Sequence, residues 1–188
     1  MLLSIITRCY RRPVGLRRCK LSLALQIDQD FEHILLVDDV GIGFRAADAR
    51  LVTDAPALIN GDYVYVLDDD NFLIDNSFVA RIHWFAQEYD PDIIMVKSDN
   101  GRQGILPTPE VWRRRPIRCH NDPLNSVVRS EIWKRHIGIL ATCQDDARDS
   151  ALLTELFNHD YSIRWLDKVV AMSGPLAGRG YGRIEEIV

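Results

Sequence analysis

The chain has 188 residues, 47% of them hydrophobic and 27% charged, with a formal net charge of −4. That length suits a single domain whose core needs no disulfide or metal staple, and the composition excludes a disordered chain. The mild negative charge argues against a nucleic-acid coat protein, and no run approaches the roughly 18 apolar residues of a membrane span.

Leu2 to Thr7 is a continuous apolar run and predicts a buried strand. Pro13 opens a predicted helix with Leu16, Cys19, Leu23 and Ile27 on its inner face. Ile34 to Val37 predicts a second strand, stopped by Asp38-Asp39, and residues 46–57 predict one or two short helices. Asn60-Gly61 signals a turn before a third strand, Tyr63 to Leu67, which ends in Asp68-Asp69-Asp70. Asp75 or Asn76 is expected to cap a helix with Phe78, Ile82, Phe85 and Tyr89 on one stripe and His83 at the surface or its boundary. Ile93 to Val96 predicts a strand. Residues 101–125 hold four prolines and Arg113, Arg114, Arg115 and Arg118, and read as a functional insertion. Val127-Val128 predicts a strand, Ser130 caps a helix to His136, residues 149–158 form another helix, and residues 162–172 a last strand. Strands alternating with helices imply an α/β domain with a mostly parallel sheet covered on both faces. Ligands of such sheets bind beyond the carboxyl ends of the strands, where both acidic clusters fall.

Three successive carboxylates at a strand end repel one another unless a positive charge compensates. A hard cation, Mg²⁺ or Mn²⁺, is the natural partner, and it also engages phosphates. In extended backbone Asp68 and Asp70 share a face and Asp69 points away. Asp38 and Asp39 suit a nucleobase or ribose, or a share in a metal site. Arg8, Tyr10 and Arg12, just past the first strand, offer guanidinium groups for phosphate and an aromatic face for a base. Asp145, Asp146 and Asp149, at a helix start, suit capping or a general base. The five histidines show no ligand spacing, with His120 in the basic insertion the least dismissible. No phosphate loop, GxGxxG or nucleophile elbow is present. Cys9, Cys19, Cys119 and Cys143 form no CxxC pair and fit a reducing compartment. The apolar run at the start is too short for a signal peptide, and its charge follows the run. A cytoplasmic protein is expected, with basic patches suited to peripheral contact at the inner membrane face.

SIITRCYRRP, ILLVDD, NGDYVYVLDDD and DSALLTELFNHDYSI together resemble the family-2 type of nucleotide-sugar glycosyltransferases with the GT-A fold. The resemblance implies that residues 1–100 form the nucleotide-sugar half and residues 101–188 the acceptor half of one domain. It implies metal binding by Asp70, with Asp68 on ribose or metal-bound water, and base recognition by Asp38 or Asp39 with Tyr10 against the ring. Asp149 is implied as the base that deprotonates the acceptor. Arg148 replaces the family's usual glutamate there, which keeps Asp145 and Asp146 in contention. Gly178 to Gly180 resembles an arm that folds over the donor diphosphate. The implied donor is a nucleoside-diphosphate sugar, with a UDP form slightly favoured, and the arginines of the insertion suit an anionic acceptor. Two other readings are a receiver-like phospho-acceptor domain, which ILLVDD also resembles, and a non-catalytic nucleotide-sugar- or partner-binding domain.

Overall fold

The computed structural model describes residues 2–10, 12–37, 44–101, 103–117, 120–142 and 148–173, with backbone only at 44–48 and 148–149. Asp38, Asp39, Asp145, Asp146, Arg118, Cys119, Cys143 and the 178–180 segment lie outside the described residues.

The first strand, β1 (Leu3–Cys9), is buried along its whole length, as its unbroken apolar run requires. Helix α1 (Pro13–Ala24) starts at the expected proline, and β2 (Phe31–Val37) returns parallel to β1. Two short helices, α2 (Phe44–Thr53) and α3 (Ala55–Leu58), lead to β3 (Tyr63–Val66), which pairs in parallel with the other side of β1. The Asn60-Gly61 turn runs tightly past the first strand: a Cβ on Gly61 would lie 2.7 Å from Leu2 O and from Ser4 N. A three-residue strand that the sequence analysis did not foresee, β4 (Asn71–Leu73), follows the aspartates. Then come α4 (Phe78–Tyr89), β5 (Ile93–Asp99) and the two-residue β6 (Ile105–Leu106), the only strand among the described residues of the 101–125 insertion. A 3₁₀ turn (Pro123–Asn125) closes that insertion and leads into β7 (Ser126–Arg129). The chain continues through α5 (Ser130–His136), α6 (Ile139–Thr142), α7 (Arg148–Leu156) and β8 (Ile163–Ser173).

The strand order is β2-β1-β3-β7-β5-β8-β4, with β6 on β5. Strands β2, β1 and β3 are parallel as expected. Strand β7, however, runs antiparallel between β3 and β5, and β4 antiparallel to β8, so the sheet is mixed rather than mostly parallel. The receiver-like reading calls for a doubly wound parallel sheet of order 2-1-3-4-5 and does not fit this topology. Helices cover both faces. Cys19 and Leu23 of α1 and Phe78, Val79, Ile82 and Ala86 of α4 pack on one side against Ile5, Tyr65 and Ile94. Leu51, Ala55, Trp133, Ile137, Leu153 and Leu156 pack on the other against Ile6, Val66 and Met95.

Three local expectations are corrected. Ile27 is 72% exposed because α1 ends at Ala24 and its inner stripe stops there. His83 is buried, not at the surface, and its Nδ1 lies 2.8 Å from Asp28 Oδ2. Ser130 is the first residue of α5 rather than its cap, and its hydroxyl donates to Gly61 O at 2.5 Å.

Candidate active site at the carboxyl edge of the parallel strands

Parallel pairing carries β1, β2 and β3 to one edge, with Cys9 opposite Val37 and Ile6 opposite Val66. The chain that follows β3 stays on β1: Leu67 N donates to Ile6 O and Asp69 N to Arg8 O. A ladder of side chains pins this edge. Thr7 Oγ1 donates to Leu67 O at 2.7 Å, so the 2.8 Å contact between Thr7 Oγ1 and His33 requires the ring to donate through Nε2. Burial, with Lys20 nearby, lowers the His33 ring from 6.5 to about 4. A base with a depressed folded pKa stabilises the fold fully above about pH 6.5 and loses that contribution as pH falls toward 4. The thermal midpoint is therefore expected to fall between pH 6.5 and 5, and His33→Gln should flatten that slope. An unchanged slope in the variant would remove His33 from this account.

Each aspartate of the triplet has a defined partner. Asp68 is gripped by both ends of the Arg8 guanidinium, with Nε to Oδ1 at 2.6 Å and Nη2 to Oδ2 at 2.5 Å. Asp69, 2% exposed, accepts from Tyr10 N at 2.7 Å and from Arg12 Nη1 at 3.0 Å. The same Arg12 nitrogen lies 2.8 Å from Asp70 Oδ2. Strict alternation predicts Asp68 and Asp70 on one face. Instead Asn71 N bonds back to Asp68 O, and the resulting turn brings Asp70 to the side of Asp69 and Arg12. Arg8 is buried and Asp69 enclosed, so both brace the loop rather than opening onto it. Tyr10 is fixed through its backbone, at the mouth of the edge.

Backbone packing sets the position of this loop. A Cβ on Gly15, in the first turn of α1, would lie 2.4 Å from Asp69 O. Gly15→Ala is expected to cost about 1–3 kcal/mol of stability, read as a lower denaturant midpoint. It should also weaken any ligand held by Asp70, read by titration, and an unaltered midpoint would contradict the close approach.

A fourth carboxylate, missed in the sequence, completes the site. Asp122 caps the 3₁₀ turn, accepting from Leu124 N at 3.0 Å, and Asn100 Nδ2 lies 3.3 Å from its Oδ2. Burial, with the charges of Asp68 and Asp70, pushes its carboxyl up to about 6. The Asp122-Pro123 step is a turn signal in the sequence, although nothing there ties it to residues 68–70. Burial likewise raises Asp69 to about 6 and pushes Asp70 upward. Among the described residues, three carboxylates thus share two guanidinium groups, and Asp122 adds a buried fourth carboxylate that feels the charges of Asp68 and Asp70. Asn71 Oδ1, directly after the triplet, is buried with no hydrogen-bond partner. An all-oxygen donor set, surplus negative charge and an orphaned acceptor fit a hard divalent cation.

Asp149 sits one residue into α7. Leu152 and Leu153, midway along α7, line a cavity of about 40 Å³ with Arg8 and Pro123. That cavity holds a few waters at most, not a nucleotide. A larger pocket of 540 Å³ lies between the insertion and the sheet. It is lined by Lys97, Pro107, Pro109, Trp112, Asp167 and Lys168, among others. Within the insertion, His120 Nδ1 lies 2.9 Å from Thr108 Oγ1 and braces the loop. Cys9 and Cys19 are free, buried thiols whose pKa burial pushes to about 12. No helix among the described residues is long and apolar enough to cross a membrane.

A helix-covered mixed sheet with an acidic edge at the ends of its parallel strands is broadly a GT-A-like domain. No family description matches the chain, and no curated protein matches its sequence. Solved structures match its fold. Residues 1–349 of S. aureus TarS align over 94% of this chain and 61% of that one, with TM-score 0.66 and 14% identity. The same segment in complex with UDP-GlcNAc aligns over 95% and 60%, with TM-score 0.66 and 15% identity. The mannosyltransferase PcManGT from Pyrobaculum calidifontis, in complex with GDP-Man and Mn²⁺, aligns over 95% and 58%, with TM-score 0.65 and 12% identity. The chain spans about six tenths of the length of these structures, and the likeness is one of fold.

Proposed function

We propose that the chain is a metal-dependent inverting glycosyltransferase that moves a sugar from a nucleoside-diphosphate sugar to an acceptor hydroxyl. The observation that carries this reading is the surplus of buried carboxylate around Asp68–Asp70 at the carboxyl edge of β1 and β3. Asp70, with Asp68, would hold Mn²⁺ or Mg²⁺, which when bound neutralises charge developing on a leaving diphosphate.

The chain's own groups do the rest. Asp69 positions Tyr10 and Arg12, whose ring and guanidinium face the donor, and Arg8 fixes Asp68. Asp38 and Asp39, which follow Val37 in the sequence, read the nucleobase. Asp149, or Asp145 or Asp146 before it, accepts the proton of the acceptor hydroxyl. That oxygen bonds to the anomeric carbon from the face opposite the diphosphate, the bond to the diphosphate breaks, and the configuration inverts. The 540 Å³ pocket under the insertion, with Lys97 lying 4.6 Å over the Trp112 ring, has the size of a ligand site. Lys97 is paired with Asp167 in the same wall, so Lys168, with Arg113 to Arg115 nearby in sequence, is the group that suits an anionic acceptor.

The test is nucleotide release from UDP-, GDP- and dTDP-sugars with and without Mn²⁺. Metal-dependent release from one donor class is expected, abolished by a chelator. Binding without release in any acceptor mixture would favour the non-catalytic module, and neither binding nor release would overturn the assignment.

A further inference from the structure

A second constellation of ligand-type side chains lies at the opposite edge of the sheet. Strand β5 runs antiparallel to β7, which runs antiparallel to β3, so β5 and its parallel neighbour β8 begin at the edge from which β3 departs. Here the last residue of α5, His136, meets Glu155 of α7 and His159 of the connection to β8. One carboxylate oxygen, Glu155 Oε1, lies 3.1 Å from His159 Nε2 and 3.4 Å from His136 Nδ1. All three candidate ligand atoms lie within 4.8 Å of one another.

We infer that His136, Glu155 and His159 form a transition-metal site, best suited to Zn²⁺, that ties α5, α7 and the start of β8 together. Ligands bound at 2.0–2.1 Å around a tetrahedral ion stand about 3.3–3.4 Å apart, close to the spacing around Glu155 Oε1. Two imidazoles and one carboxylate suit Zn²⁺ over the hard cations expected at the aspartates. The surrounding contacts orient the ligands. His136 Nε2 lies 2.8 Å from the Tyr161 hydroxyl, which holds the ring with Nδ1 toward Glu155. Asn158 Nδ2 reaches Glu155 Oε2 at 3.4 Å and leaves Oε1 for the ion. Three protein ligands keep a fourth position open for water. The inference does not depend on the glycosyltransferase reading, since it uses no residue of the aspartate site.

The test is equilibrium dialysis and Co²⁺ absorption on the full chain, purified without a histidine tag and stripped with chelator. One equivalent of Zn²⁺ should bind, and Co²⁺ should give the visible bands of a low-coordinate nitrogen- and oxygen-ligated ion. His159→Ala, at a ring 43% exposed and therefore tolerant of change, should weaken binding at least about tenfold, as should Glu155→Gln. Asp70→Asn should leave it within about twofold, because additivity holds for distant sites. Absence of saturable binding would overturn the inference and leave a hydrogen-bonded His–Glu–His triad. So would unchanged affinity in both ligand variants, or loss of the ion in Asp70→Asn.

Discussion

Replacing Asp149 by asparagine is expected to lower sugar transfer by about 10²- to 10⁴-fold, the range of a general base, while metal-dependent donor binding stays within about twofold. Binding and chemistry should separate because the proposed donor contacts are the loop after β3, Tyr10 and Arg12, whereas Asp149 belongs to the first turn of α7. Asparagine keeps the size of the side chain and any capping contact at the helix start, so the variant should fold normally. The diagnostic reading is kcat against donor KM in a transfer assay, with calorimetric titration of the nucleotide beside it. If Asp145→Asn or Asp146→Asn shows the loss and Asp149→Asn does not, the base lies earlier in the segment. Full transfer in all three variants would remove the carboxylate base from the mechanism.

Asp70→Asn is the second large effect. It is expected to reduce turnover about a hundredfold or more, because stabilisation of charge on a departing group is among the largest single contributions to catalysis. The folded state should not suffer. Burial raises the Asp70 pKa and so disfavours its charge, and an asparagine oxygen can still accept from Arg12, which lies 2.8 Å from the present carboxylate. An unaltered or slightly higher thermal midpoint with lost metal-dependent activity is therefore the predicted pair of results. Turnover that persists with Mn²⁺ dependence intact would place the ion elsewhere.

Much of the scaffold was legible in the sequence because burial on both faces writes itself as unbroken apolar runs. Leu2 to Thr7 and Tyr63 to Leu67 became β1 and β3 for that reason, whereas Ile34 to Val37 became part of β2, an edge strand of which only Ile34 and Leu36 are buried. Strand β4 was not legible. Asn71–Leu73 is three residues long, carries no alternation of its own, and becomes a strand by pairing with Ser173–Ala171, about a hundred positions along the chain. The direction of β7 is equally a tertiary outcome: Ser126–Arg129 carries no mark of running antiparallel to both neighbours.

The site divides in the same way. Clustered aspartates after a buried strand announce themselves, and the need for positive compensation follows from repulsion alone. The first compensators, however, are Arg8 and Arg12, brought sixty and fifty-seven positions back to the triplet. Parallel pairing of β1 with β3 creates that proximity, and only the assembled sheet displays it. Asp122 and the meeting of His136 with Glu155 escaped for the same reason, since their partners are set by folding, whereas Glu155 and His159 stand four positions apart and only that half of the cluster was written in the spacing.

The central claim, a divalent cation held by Asp70 with Asp68 alongside a nucleoside diphosphate, is tested most directly by paramagnetic broadening. In the amide NMR spectrum of the full chain with UDP or GDP, substoichiometric Mn²⁺ should erase the signals of Tyr10, Asp69 and Asp70 first. If those signals stay sharp while others broaden, or if no signal responds to the ion with either nucleotide, the aspartates do not hold it.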